Sequence, residues 1–227
     1  QVAADEAQAA GYPAREVSAL RAEVSEGLDR LYGVVPVRSS TAFTFPSDTP
    51  VLLEELVRGN DGAPYVLDSA GKTVWRIDLA QKTASPVAVS GQKAKGGKVA
   101  DPKVMTTGGP DVVFLDTKNN LWRWRPLPNK GKGTLARINV EDSAGWGDDI
   151  EVMSTFVANF DAALYKLYVV DPSEQNIMVV SPSSDGSGYQ GKPTRRLPTD
   201  RPVDGITDLL LDGDIFVADG HDAGSTA

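Results

Sequence analysis

The chain has 227 residues and a formal net charge of −8. It has no cysteine and a single histidine, His221, which excludes disulfides, thiolate metal sites, cysteine nucleophiles and histidine-rich metal centres. The acidic balance argues against nucleic acid or an anionic membrane surface as the partner.

The first thirty residues read as helix. Val2 to Ala10 is rich in Ala, Glu and Gln, and Gly11-Tyr12-Pro13 punctuates it. Val17, Leu20, Val24, Leu28 and Leu31 follow at steps of three and four, one apolar stripe on a second helix. Gly33 ends that helix and Pro36 breaks it. The expectation is a helical hairpin or stalk over 1–33. It packs on its own domain or on an upstream helix, or forms a short coiled-coil seam.

From residue 34 the period changes to two, with Gly, Asn, Asp and Pro turns between short strands. One phrase recurs. Tyr65-Val66-Leu67-Asp68 precedes Thr73-Val74-Trp75-Arg76-Ile77-Asp78, and Val113-Phe114-Leu115-Asp116 precedes Asn120-Leu121-Trp122-Arg123-Trp124-Arg125. Tyr168-Val169-Val170-Asp171 precedes Asn176-Ile177-Met178-Val179-Val180-Ser181, and Ile215-Phe216-Val217-Ala218-Asp219 opens a fourth copy. Each copy has an upstream strand, at Val51–Val57, Lys103–Thr107, Ile150–Val157 and Ile206–Leu211. Downstream strands follow near Pro86–Val89, Thr134–Val140 and Thr194–Leu197. A unit of about four antiparallel strands in about 50 residues is a β-propeller blade. The expected fold is therefore mainly β: three full blades and a partial fourth over 34–227, behind the helical hairpin. An early strand within Val34 to Phe45 is an alternative completion of the last sheet. Both chain ends read as cut, so the propeller is expected to be incomplete, with an open sheet edge free to self-associate.

Asp68, Asp116, Asp171 and Asp219 each stand before a turn, where a carboxylate can accept turn amides and fix the hairpin. Trp146, Asp148 and Asp149 precede an inner strand and are the candidate ligand-binding residues, an aromatic face beside two carboxylates. Asp214, Asp219, His221 and Asp222 form the densest set of metal-ligand types and are the weak candidates for a divalent site; calcium is the only ion the loops suggest. Otherwise no cofactor is expected. Arg123 and Arg125, between Trp122 and Trp124, read as a middle strand and not as a nucleic-acid platform. No nucleophile elbow or phosphate-binding loop is present, so no residue is assigned as catalytic.

The phrases Tyr65-Val66-Leu67-Asp68-Ser69-Ala70-Gly71, Val74-Trp75-Arg76-Ile77-Asp78, Leu167-Tyr168-Val169-Val170-Asp171 and Ile215-Phe216-Val217-Ala218-Asp219 resemble NHL-type propeller repeats. With the helical hairpin, they resemble the extracytoplasmic propeller region of bacterial membrane proteins linked to serine/threonine phosphatase or kinase domains. That resemblance implies a non-enzymatic binding module, an extracytoplasmic sensor anchored in the membrane by the full-length protein. The segment itself would be soluble, with a protein, peptide or carbohydrate ligand. Two alternatives stand: a hydrolase or lyase acting on a sugar or lactone through carboxylates and calcium, and a purely structural scaffold.

Overall fold

The structure, a computed structural model, describes residues 2–33, 39–127, 131–141, 146–147, 149–198 and 203–220. The chain divides into two compact units, 1–42 and 43–227.

The first unit holds helices α1 (Val2–Ala9) and α2 (Ala14–Tyr32). Pro13 occupies the N-cap position of α2 with φ −56°, a value its ring imposes. Gly33 closes the helix at φ +67°, donating its N–H to the Asp29 carbonyl. Of the apolar stripe only Val17 is buried; Leu20, Val24, Leu28 and Leu31 are exposed.

The second unit is built from antiparallel sheets. The first sheet runs β1 (Leu53–Arg58), β2 (Pro64–Asp68), β3 (Thr73–Asp78) and β4 (Thr83–Val89), in that order. A small hairpin, β5 (Lys93–Ala94) and β6 (Gly97–Lys98), leads to the second sheet. That sheet contains β7 (Pro102–Gly108), β8 (Asp111–Asp116), β9 (Leu121–Pro126) and β10 (Gly133–Arg137). After β11 (Asn139–Val140) the third sheet contains β12 (Val152–Asn159), β13 (Leu164–Asp171), β14 (Asn176–Pro182) and β15 (Gly188–Arg195). The last sheet has two described strands, β16 (Ile206–Asp212) and β17 (Asp214–Asp219).

Each sheet keeps its antiparallel strands in sequence order, as expected of a chain of hairpins, and the third adds β11 as a fifth strand beside β15. All three downstream strands differ from the sequence expectation, and β4 starts at Thr83, three residues before Pro86. The expected strand Thr134–Val140 is two elements, because β10 ends at Arg137 and β11 leaves to pair in parallel with β15 of the next sheet. The expected strand Thr194–Leu197 instead starts at Gly188. The Asp185 carboxylate gathers the Ser187 amide and the Ser183 and Ser187 hydroxyls, which closes a turn and lets the Gly-rich run enter the ladder. The described part of the early candidate, 39–45, forms no strand. Its aromatic residues cover the first sheet: the Phe45 ring packs edge-on to Trp75 at 5.7 Å, and Phe43 packs on Phe45 at 5.0 Å.

The core lies between sheets. Tyr65, Leu67, Val74, Met105, Val112, Phe114 and Trp122 fill the space between the first two sheets. Val113, Leu115, Met153, Tyr165, Leu167, Val169 and Met178 fill the next. Val152, Tyr168, Val170, Ile177 and Val179 meet Ile206 and Leu209 in the third. β8 shows why alternation fails as a guide here: all six of its residues are buried because both of its faces are covered.

Two polar layers frame this core. At one end the Asp68 carboxylate accepts the amides of Leu52 (2.9 Å) and Gly71 (3.0 Å) and the indole N–H of Trp75 (3.1 Å). Asp116 accepts the amides of Ala100, Lys118 and Asn120, the Asn120 side chain, and the Trp122 indole at 2.8 Å. Asp171 accepts from the Gly147 amide, the Ser173 hydroxyl and the Glu174 amide. Each carboxylate thus ties its own turn to the segment that enters the innermost strand of the same sheet. Burial alone would raise the Asp116 carboxyl; donors from Asn120, Trp122 and Ala100 outweigh it and hold the group below the usual carboxylate range. At the other end Asp111, fully buried, receives both arms of Arg125 at 2.7 and 2.8 Å and the Tyr165 hydroxyl at 3.1 Å. Tyr165 belongs to the third sheet and Asp111 to the second, so this bond joins sheets. A Cβ on Gly108 would stand 2.5 Å from the Tyr165 ring, so only glycine admits that close approach.

Candidate functional site

β1, β7, β12 and β16 are each the terminal strand of their sheet, and they lie next to one another in that order. Among the described residues their outer edges carry no ladder partner, so backbone N–H and C=O groups face a shared centre. Between these strands lies a cavity of about 290 Å³ lined by all four. Glu54 and Glu55 come from β1, Met105 and Thr106 from β7, Met153 and Ser154 from β12, and Thr207 and Asp208 from β16. Glu54, Glu55 and Asp208 supply three carboxyl groups, and among the described residues no Lys, Arg or His lines the cavity.

Glu55 is the distinctive member. It is half-buried, and its carboxylate accepts the Met105 backbone N–H, one of those unpaired edge groups. Burial pushes its carboxyl up to about 8, with Glu54 and Asp208 adding to the effect and the Met105 amide opposing it. A second hollow of about 330 Å³ lies between β7 and β12 and shares Thr106 and Ser154 with the first. It adds Thr107, Gly109, Thr155, Val157 and Phe160. The Thr155 hydroxyl donates to the Thr107 carbonyl, again satisfying an inner edge.

The described residues among those singled out from sequence lie elsewhere. Trp146 is 5% exposed, packed in the core between the second and third sheets, and its indole N–H has no hydrogen-bond partner among the described residues. Its ring is not offered to solvent. Asp149 is exposed and Asp148 lies outside the described residues. Asp214 and Asp219 stand at opposite ends of β17, both exposed, while His221 and Asp222 lie outside the described residues. Among the described residues no three of His, Cys, Asp and Glu form a set able to hold a metal ion. Arg123 and Arg125 face Asp111 from within the second sheet.

Sequence reading missed Glu55, Asp208 and Phe160. A signal existed for the first: two carboxylates interrupt the apolar run Val51-Leu52-Leu53-Glu54-Glu55-Leu56-Val57. Alternation assigns such a residue to solvent. Only the convergence of four strand edges turns it inward.

No protein-family model and no curated protein matches the chain. Solved structures do. The major allergen Mala s 1 of Malassezia sympodialis superposes with a TM-score of 0.51 at 14% identity, over 74% of this chain and 50% of that one. Virginiamycin B lyase from Staphylococcus aureus matches at 0.48 and 13%, over 78% and 52%. Glutaminyl cyclase of Myxococcus xanthus matches at 0.42 and 18%, over 75% and 62%. The chain spans about half the length of the first two. No helix among the described residues is long and apolar enough to cross a membrane. Identities this low speak to architecture and nothing finer: the chain is mainly β and of β-propeller type.

Proposed function

We propose that this chain is a non-enzymatic ligand-binding propeller module, and that its site is the central cavity between β1, β7, β12 and β16. The observation that carries the reading is the lining: four inner strands bring three carboxyl groups and unpaired backbone edges to one concave space. A concave site with a few convergent polar groups is the usual form of a small-ligand pocket. Glu55 is its polar anchor, because its carboxyl is already drawn out of bulk water.

The hydrolase or lyase alternative has one observation in its favour, the convergence of Glu54, Glu55 and Asp208 on the central cavity. It needs an acid and a base on either side of one bond. Of the loop carboxylates that could serve, Asp149 is exposed and Asp204 accepts from the Gln175 side chain at 2.9 Å. The NHL-like phrases, the acidic cysteine-free composition and the exposed stripe on α2 support a finer reading, an extracytoplasmic sensor segment of a bacterial membrane signalling protein. The recurring Asp68, Asp116, Asp171 and Asp219 serve as turn clamps in this proposal, not as ligands.

Amide-resolved NMR tests the site with a set of small cations, anions, neutral compounds, short peptides and oligosaccharides. At least one should shift the amides of Met105, Thr106, Ser154 and Asp208, and Thr106→Trp, which fills the cavity, should abolish the response. If no compound moves those amides, or the response survives the filled cavity, the reading is wrong.

A further inference from the structure

The two central hollows share Thr106 and Ser154, so they adjoin along one groove-like line with unlike linings. One end holds Glu54, Glu55 and Asp208 with no basic side chain; the other holds Phe160, which is 46% exposed. The run along β7 from Met105, at the Glu55 end, to Gly108, just before Gly109 at the Phe160 end, spans about 10 Å at the usual strand rise. Hydroxyls line the middle.

We propose that this groove takes an organic ammonium carrying an apolar or aromatic body, with the ammonium among Glu54, Glu55 and Asp208 and the body against Phe160. The inference rests on the cavity being a ligand site, and adds the chemistry of what fills it. Charge complementarity decides the cationic end. An anion would meet three carboxyl groups and, among the described residues, no compensating cation, and a neutral group would leave the Glu54 and Asp208 charges uncompensated. The exposed ring at the far end supplies a face for an apolar group or a second aromatic ring. An ammonium beside Glu55 favours its ionised form, so the carboxyl releases a proton as the ligand binds. The groups facing Glu55 are Glu54 on its own strand, Asp208 on β16 and the Met105 amide on β7. None of them is a competing cation.

Three isosteres of matching length test the charge: 4-phenylbutylammonium, 4-phenylbutanol and 4-phenylbutyrate. The ammonium should bind at least roughly tenfold more tightly than the other two, shifting the amides of Met105, Thr106 and Ser154. Glu55→Gln should remove most of that preference, and Phe160→Ala should weaken the ammonium while keeping the order of the three. Binding in two buffers of different ionisation heat should show proton release near pH 7. A free amine and a peptide lysine present the same group. Acetyl-Lys-Phe-amide and its Nε-acetylated form separate these sources: a peptide that outbinds 4-phenylbutylammonium and loses binding on acetylation identifies a side chain as the source, and the reverse order a small amine. Equal binding of the alcohol or the carboxylate at the same amides overturns the ammonium proposal and leaves the cavity as a ligand site. Silence of those amides toward every probe overturns both.

Discussion

The second and fourth blades carry nearly the same phrase in opposite circumstances. On β8, Val113, Phe114, Leu115 and Asp116 are all fully buried. Their counterparts on β17 are Phe216, 53% exposed, Val217, 49% exposed, and exposed Ala218 and Asp219. The second blade has a neighbour on each face, whereas the fourth packs on the third alone among the described residues and has two strands. The phrase therefore encodes a strand and a turn. Stacking supplies the burial that makes each residue count. The first blade lies between these cases, since Phe43 and Phe45 cover the face that no other blade covers.

Paired substitutions can break or sharpen this contrast. The largest gap is expected for the apolar positions. Phe114→Ala should cost roughly 4 kcal/mol, as a large ring removed from a packed core leaves a cavity. Phe216→Ala should cost about 0.5 kcal/mol or less, as an exposed position should. Urea unfolding of the two variants decides it; similar losses would mean that the fourth blade is as well covered as the second. Next come the aspartates. Asp116→Ala should cost about 3 kcal/mol, because the Trp122 indole and the Ala100 amide lose a buried acceptor. The Asp116 carboxyl is held below its usual range, so its contribution is complete above the unfolded value and disappears as pH falls through the folded one. Asp219→Ala, at an exposed position, should cost less than about 1 kcal/mol at neutral pH. An equal loss at both would place the clamp in the turn itself and not in the burial.

Phe45→Ala should cost about 1.5 kcal/mol and shift Trp emission to the red as Trp75 becomes wetter. An unchanged spectrum would show that the segment before the first sheet does not act as a cap. A pH-dependent effect concerns Glu55, which touches both blades of the comparison: it accepts the Met105 amide of the second and feels Asp208 of the fourth. Asp208→Asn should lower the Glu55 carboxyl from about 8, read by carbon NMR titration. The sign for stability follows from linkage. Between 4.5 and about 8 the folded chain keeps a proton that the unfolded chain has lost. Stability from this group is therefore complete below that window, declines as pH rises across it, and is level above. Glu55→Gln removes the slope, so the variant should gain on the parent from pH 5 to pH 8 in thermal melts. A parallel pair of curves would refute the burial of Glu55.

Much of the architecture was legible from residues alone. The helices of 2–32 follow from apolar spacing, Pro13 and Gly33, all local effects. The repeat of an apolar strand ending in Asp before a turn and a second strand is also local, because an Asp can reach amides two to four residues away wherever it sits. Asp171 and Glu174 show the same logic in the third copy, where a 3-10 turn replaces the Gly or Asn turn. Strand ends were less legible. Nothing local says that Asn139–Val140 leaves its own sheet, since its partner at Gly188–Tyr189 is about fifty residues away.

The candidate site was the least legible part. Trp146 looked like a binding platform because it stands in a loop among carboxylates, yet packing between sheets takes its ring inside. Glu55 looked like an exposed strand residue, yet its carboxyl lies against an unpaired amide of another sheet. By itself the sequence determined which segments become helix, strand and turn, and that the strands recur in blades, because those choices depend on neighbours a few residues away. Only the tertiary structure decided which copies of one phrase are buried and which carboxyl groups meet at the centre. Those outcomes depend on strand edges brought together from residues 55, 105, 154 and 208, and no local pattern records that distance.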